Sequence, residues 1–318
     1  MIIAVSPYHL TTREPAALAA MLLAERVVTM LPAPLQGKQW GAVKAAAQNV
    51  PRYLEFMKTW QWTMPLWEEG VITSSLEGQE AVDELRPVCA RIDEEERLAP
   101  LRLLMKPELF EDHERYLDAF AHDLLKAGPD PGLTVPIASG LDSFACRHGA
   151  AVARSEPASI VQKTEAALGR EVFSVAIPVL LQADAERILE ARELLQKELD
   201  DLRDALSAIA DGASNDSATK DLAAAAKAYA KAFEEHRDIL IAPSEDDEQR
   251  VIEGTVVITG TRLPADAVLD SSLSAMRNLS PVFAGRESSP AKPTGNAIQR
   301  QGVLSLIVRV LGRPARRS

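Results

Sequence analysis

Short apolar runs that alternate with helical stretches leave this chain few folds to choose from. Residues 2–5 (Ile-Ile-Ala-Val) carry no polar side chain on either face. Residues 27–31 are aliphatic apart from Thr29, and Pro32 stops them. A strand that is apolar on both faces must be covered on both, which is the habit of parallel strands joined by crossover helices. The residues between them supply such a helix. Thr11 stands three before Glu14, a capping-box spacing, Pro15 fits a first turn, and Leu18, Met21 and Leu22 continue the apolar face. Helical patterns follow at residues 40–48, 52–60, 77–90 and 108–126.

The same rhythm returns further on. Residues 134–138 are strand-like, 141–148 helical, 150–154 extended, and 159–168 helical up to the natural stop at Gly169. Residues 172–181 form a long strand pattern interrupted by Pro178. The expected class is α/β or α+β, a small and mostly parallel sheet with packed helices, helix predominating. Residues 1–183 make up the expected mixed core.

From residue 184 the period changes. Ile188, Leu195, Leu199, Leu202, Leu206 and Ile209 follow alternating four- and three-residue steps, and Arg192 occupies the one missing position of that seam. Leu222, Tyr229, Phe233 and Leu240 line a second helix beyond the polar break at 211–216. Two seams and a short loop predict a long, coiled-coil-like antiparallel hairpin over residues 184–242, projecting from the core. Residues 251–259 read as strand, folded over or not at Glu253-Gly254, and Pro264 opens an amphipathic helix. Residues 243–280 are thus expected to pack on the core as short strand and helix.

Charge separates the last segment from the rest. The chain carries a net charge of −11, yet residues 281–318 hold seven basic side chains against the single acid Glu287. An acidic body repels nucleic acid, so none is expected as its partner. Two cysteines are too few for a disulfide scaffold or a thiolate metal site. The opening residues lack the basic and long apolar regions of a signal peptide, which makes cytoplasm the expected compartment.

The nearest approach to a catalytic motif is Ser139-Gly140-Leu141-Asp142-Ser143, which follows the strand-like residues 133–138. It resembles the pyrophosphate-binding loop of ATP pyrophosphatases of the asparagine-synthetase and GMP-synthetase type, Ser-Gly-Gly-x-Asp-Ser, without the second glycine. The resemblance implies a nucleotide or other anion held near Ser139, Asp142 and Ser143, where a strand ends and a helix begins. A helix N-cap at Ser139 or Asp142 accounts for the same letters. His148 lies close to Ser143 in sequence, but no Gly-x-Ser-x-Gly elbow accompanies the pair. Glu114, Asp118 and His122 are spaced by four and share one helix face, so they could offer three hard ligands to a metal. An acidic solvated face explains them equally, and no cofactor or structural metal is expected.

Trp60, Trp62 and Trp67 form the densest aromatic cluster and are expected in the core rather than in a ligand pocket. In the basic segment, residues 302–312 stand out. Leu304, Leu306, Val308 and Val310 make one apolar face at period two, and Arg309, Arg313, Arg316 and Arg317 follow the acidic body's opposite sign. With Pro281, Pro290 and Pro293 upstream, the expectation is a flexible tether and a docking segment ordered only against a partner. An intracellular interaction or adaptor protein is therefore the expected function, with a protein partner, and membrane-surface contact by the tail as a weaker option. An enzyme or nucleotide/anion-binding α/β protein with its site near residues 139–143 is the alternative.

Overall fold

The apolar runs pair as their composition demands. β1 (Ile2–Val5) and β2 (Arg26–Thr29) are parallel, with Ile3 beside Val27. The computed structural model describes residues 1–5, 7–29, 34, 55, 58–59, 61–74, 151–155, 169–211, 216–242, 251–263 and 303–311. The remaining strands are β3 (Ile72–Ser74), β4 (Ala151–Ser155), β5 (Arg170–Gln182), β6 (Ile252–Leu263) and β7 (Val303–Val310). They form one mixed sheet in the order β3-β2-β1-β4-β7-β6-β5. The five strands from β3 to β7 run parallel, and β6 and β5 complete the sheet as an antiparallel pair. Seven α-helices are present among the described residues: α1 (Pro7–Thr11), α2 (Pro15–Leu23), α3 (Met64–Glu68), α4 (Ala185–Leu194), α5 (Gln196–Ala210), α6 (Asp216–Glu235) and α7 (Arg237–Leu240). None is long and apolar enough to cross a membrane.

α2 lies at the centre of the packing. Every residue from Ala16 to Leu23 is at most 2 % exposed, so the helix is apolar all round and buried all round. Its alanines let the sheet approach on one side and α4 and α5 on the other. A helix end buried in this way leaves carbonyls that water cannot reach, and these need donors from elsewhere. Two arginines supply them. Arg192 on α4 donates to the carbonyls of Met21 at 2.6 Å, Ala24 at 2.6 Å and Glu25 at 3.2 Å. Arg203 on α5 donates from Nε to Leu23 at 2.7 Å. Burial first, and then the Arg203 charge, lower the Arg192 guanidinium to about 10, so it stays cationic at neutral pH. The break that Arg192 makes in the apolar seam is thus a cap for a neighbouring helix.

The helices expected over residues 184–242 exist, but they do not project as a separate unit. The first arm divides at Leu195, and its seam residues Leu199, Leu202, Leu206 and Ile209 belong to the same core as β1 and α2. The Tyr229 hydroxyl donates to the Pro178 carbonyl of β5 at 3.1 Å, which lays α6 against the sheet. Pro178 is tolerated because β5 is the sheet's edge strand. β6 is one continuous strand through Gly254. Gly260 is required where the Phe173 ring crosses it, since a Cβ there would stand 2.2 Å from that ring.

The largest departure from expectation concerns residues 302–312. Residues 303–310 are not a docking segment ordered only against a partner, and the tether expected at 281–300 lies outside the described residues. β7 lies between β4 and β6, pairing Ala153 with Leu306 on one side and Gly260 with Leu306 on the other. The period-two face packs on the chain's own core: Leu304, Leu306 and Val308 are at most 3 % exposed. The core therefore extends well beyond residues 1–183, and 243–280 contributes a full-length strand rather than a piece of covering. The helices expected at 40–48, 77–90, 108–126, 141–148 and 159–168, the strand at 134–138 and the helix after Pro264 lie outside the described residues.

Two outcomes follow. Leu306→Ala should cost about 2–5 kcal/mol in denaturant unfolding, and removal of residues 301–318 should abolish the cooperative transition, because among the described strands it is β7 that pairs the parallel set with β6. Arg192→Leu completes the apolar seam yet should destabilise by about 3 kcal/mol, because it strips donors from buried carbonyls. A neutral or stabilising effect in the same measurement would contradict the capping role.

Candidate functional site at the carboxyl ends of β1 and β4

Strand order reverses between β1 and β4. From β1 the chain moves outward to β2 and β3, and then returns to β4 on the other side of β1. In sheets of this kind the two connections diverge at that point and leave a crevice beyond the strands' carboxyl ends. α1 begins directly after β1, and β4 ends at Ser155, so both bring polar residues to this edge.

The predicted capping box does not form there. Pro7 opens a one-turn helix at the strand's end, and Thr11 closes it instead of starting α2. The Arg13 N–H donates to Leu10 O at 3.3 Å and the Glu14 N–H to His9 O at 2.9 Å. This bond pair is the Schellman ending, with Arg13 at the left-handed position, φ 51°. Glu14 then caps α2 through its backbone, its side chain making no cap bond. That carboxylate is turned elsewhere: it accepts the Ser155 hydroxyl at 3.3 Å.

His9 stands beside the same strand end. It is 5 % exposed, and its Nε2 accepts the Ser155 N–H at a long 3.5 Å. Burial, and secondarily the charge of Arg154, lower its pKa to about 4. The imidazole is therefore neutral at pH 7, with its proton assigned to Nδ1 by the bond that Nε2 accepts. The Ser155 hydroxyl donates to Glu14, so the three groups are not linked as a Ser-His-acid relay. They place a neutral imidazole, a carboxylate and a hydroxyl within one small region, with the Arg154 cation close enough to perturb His9.

Two further groups complete the edge. The Arg13 guanidinium lies 4.5 Å from the centroid of the Trp62 ring. A partly exposed cation–π contact of this kind contributes about 0.5–1 kcal/mol. Thr29 Oγ1, at the carboxyl end of β2, and Trp62 Nε1 are buried with no hydrogen-bond partner among the described residues. Trp67 donates to Thr63 Oγ1 at 3.1 Å, and both described tryptophans pack against the core as expected.

Of the candidate site residues read from the sequence, only those on β7 are among the described residues. Ser139, Asp142, Ser143 and His148 lie outside the described residues, as do Glu114, Asp118, His122, Arg313, Arg316 and Arg317. Arg309 is exposed on β7, and Val310 packs partly against the core. Among the described residues no group of three or more His, Cys, Asp or Glu could hold a metal. His9, Glu14 and Ser155 were not recognised in the sequence. The one available signal was Ser-Pro-Tyr-His directly after an apolar strand, and it gains meaning only once β4 is known to lie beside β1. A scan of family models, a search of curated proteins and a search of solved structures each found no match to this chain.

His9 sets a pH dependence. Its folded pKa of about 4 lies below the ordinary 6.5, so the unfolded chain binds more protons between those values. The neutral-His contribution is fully present above pH 6.5 and is lost as pH falls toward 4, by roughly 3 kcal/mol in all. Melting temperatures of wild type and His9→Gln across pH 4–7 should converge as the pH falls. Parallel curves would show that His9 is not buried in its neutral form.

Proposed function

We propose that this chain is a small-molecule-binding α/β protein whose ligand lies across the carboxyl ends of β1 and β4. The observation that carries this reading is the reversal of strand order at that point, where His9, Glu14 and Ser155 converge. In open α/β sheets this is the place where ligands bind, because the backbone ends there and two connections part. The cation of Arg154 favours a ligand with an anionic group, and Glu14 and Ser155 suit its hydroxyl or amino groups. Binding and orientation fit this arrangement better than nucleophilic attack, since the Ser155 proton is directed at a carboxylate and not at the imidazole. This is the class that the sequence offered as its alternative, argued from His9, Glu14 and Ser155 rather than from residues 139–143, which lie outside the described residues. The adaptor reading loses its proposed docking face, because Leu304, Leu306 and Val308 are covered by the chain itself.

A thermal-shift screen with nucleoside phosphates, inorganic phosphate and dicarboxylates tests the proposal. A ligand present at a hundred times its Kd adds about 2.7 kcal/mol, which should raise the melting midpoint by roughly 5–10 °C. Ser155→Ala and Glu14→Gln should reduce that shift, and Glu186→Gln, on an exposed helix position, should leave it intact. A shift that survives both crevice substitutions would place the ligand elsewhere, and no shift with any compound would sink the reading.

A further inference from the structure

Three hydrogen bonds close a ring where α1, α2 and β4 meet. The Ser155 N–H donates to His9 Nε2 at 3.5 Å, the Ser155 hydroxyl to Glu14 Oε2 at 3.3 Å, and the Glu14 N–H to the His9 carbonyl at 2.9 Å. The ring ties the turn between two helices to the last residue of a strand 141 and 146 positions away. One of its bonds depends on a proton. Nε2 accepts while the imidazole is neutral, whereas in the imidazolium both ring nitrogens are donors. The Nε2 proton would then point at the Ser155 N–H, donor against donor. His9 is only 5 % exposed, so water does little to compensate the new charge. Nor do the charged groups described around it. Arg154 on β4 repels the charge, Glu14 at the head of α2 is engaged by the Ser155 hydroxyl, and Arg13 between the helices is a second cation, lying over Trp62.

We propose that this ring is a proton-sensitive latch: protonation of His9 breaks its bond to Ser155 and frees α1 from the end of β4 while the sheet stays folded. The change is local. β1 and β4 remain paired through Ile3, Ala4 and Val5, which carry no titrating side chain, and the Glu14 N–H keeps its bond to the His9 carbonyl. What parts is the mouth of the crevice. In the open form His9 reaches water and its ordinary proton affinity, whereas the closed form holds it near 4, so acid draws the equilibrium toward opening. Linkage between those two values raises the open fraction roughly 50-fold from pH 7 to pH 4.5. The latch is independent of the crevice reading, for which its consequence is a binding site that opens in acid.

Hydrogen exchange of the Ser155 amide tests the latch on the ligand-free, full-length protein, after correction for the intrinsic pH dependence of exchange. The Val152 amide, in the middle of β4 with partners on both sides, is the reference for the sheet. Opening at Ser155 should rise roughly 50-fold from pH 7 to pH 4.5 and be insensitive to dilute urea, the mark of a local event, while Val152 responds to urea. His9→Gln should flatten the pH profile at Ser155. Glu14→Gln, which keeps an acceptor for the Ser155 hydroxyl, should retain it. Exchange at Ser155 that follows Val152 in urea overturns the proposal, because the ring then opens only with the whole sheet. A profile flattened by Glu14→Gln and not by His9→Gln also overturns it. Should His9→Gln fail to fold, the His9 imidazole resonances of wild type decide: their midpoint has to coincide with the opening at Ser155, and titration above pH 6 with Ser155 still protected rules the latch out.

Discussion

A helix with no wet side has to find its last hydrogen bonds inside the protein, and α2 finds them in Arg192 and Arg203. Burial of Ala16 to Leu23 gives the sheet its cover and gives α4 and α5 a surface to pack on. The same burial would leave four carbonyls stranded at the helix's negative end. Guanidinium groups answer both problems, with several donors from one side chain and a positive charge at the pole that favours it. The device recurs. Arg262 on β6 donates to Ile209 O at 2.6 Å at the end of α5, and Arg187 on α4 donates to Ala242 O at 2.9 Å after α7. Helix ends in this protein are tied to other elements by arginine, so secondary structure and tertiary packing are closed by the same bonds.

That coupling explains which parts of the architecture could be read from the letters. β1, β2, β4 and β5 are local signals, since each is an apolar run long enough to declare itself. α2 is likewise announced by Pro15 and its aliphatic residues. Arg192 could be seen only as a gap in a seam, because its partners are the carbonyls of residues more than 160 positions away. β7 was legible as a strand with one apolar face, but nothing local distinguishes a strand that joins its own sheet from one that joins another's. The basic, proline-rich surroundings argued for the second, and long-range pairing decided for the first.

The site was hidden for the same reason. His9, Glu14 and Ser155 are unremarkable singly, and one of them, Glu14, belongs to an apparent capping box that the backbone does not form. Their association exists only because β4 pairs with β1 across nearly 150 residues of chain. A motif search rewards chemistry concentrated in one loop. The site proposed above is instead assembled from the ends of two strands, where α/β sheets bind ligands at a reversal of strand order.

The position of β7 has a consequence for how the molecule comes into being. It follows every other described strand in the chain, yet it fills the middle of the sheet. During synthesis, β4 and β6 must each wait with an open edge until the residues near 303–310 emerge, so the sheet cannot close progressively from one end. A prematurely terminated product would carry two unpaired edges, both templates for pairing with other chains. Closure of the sheet thus waits on its last described strand.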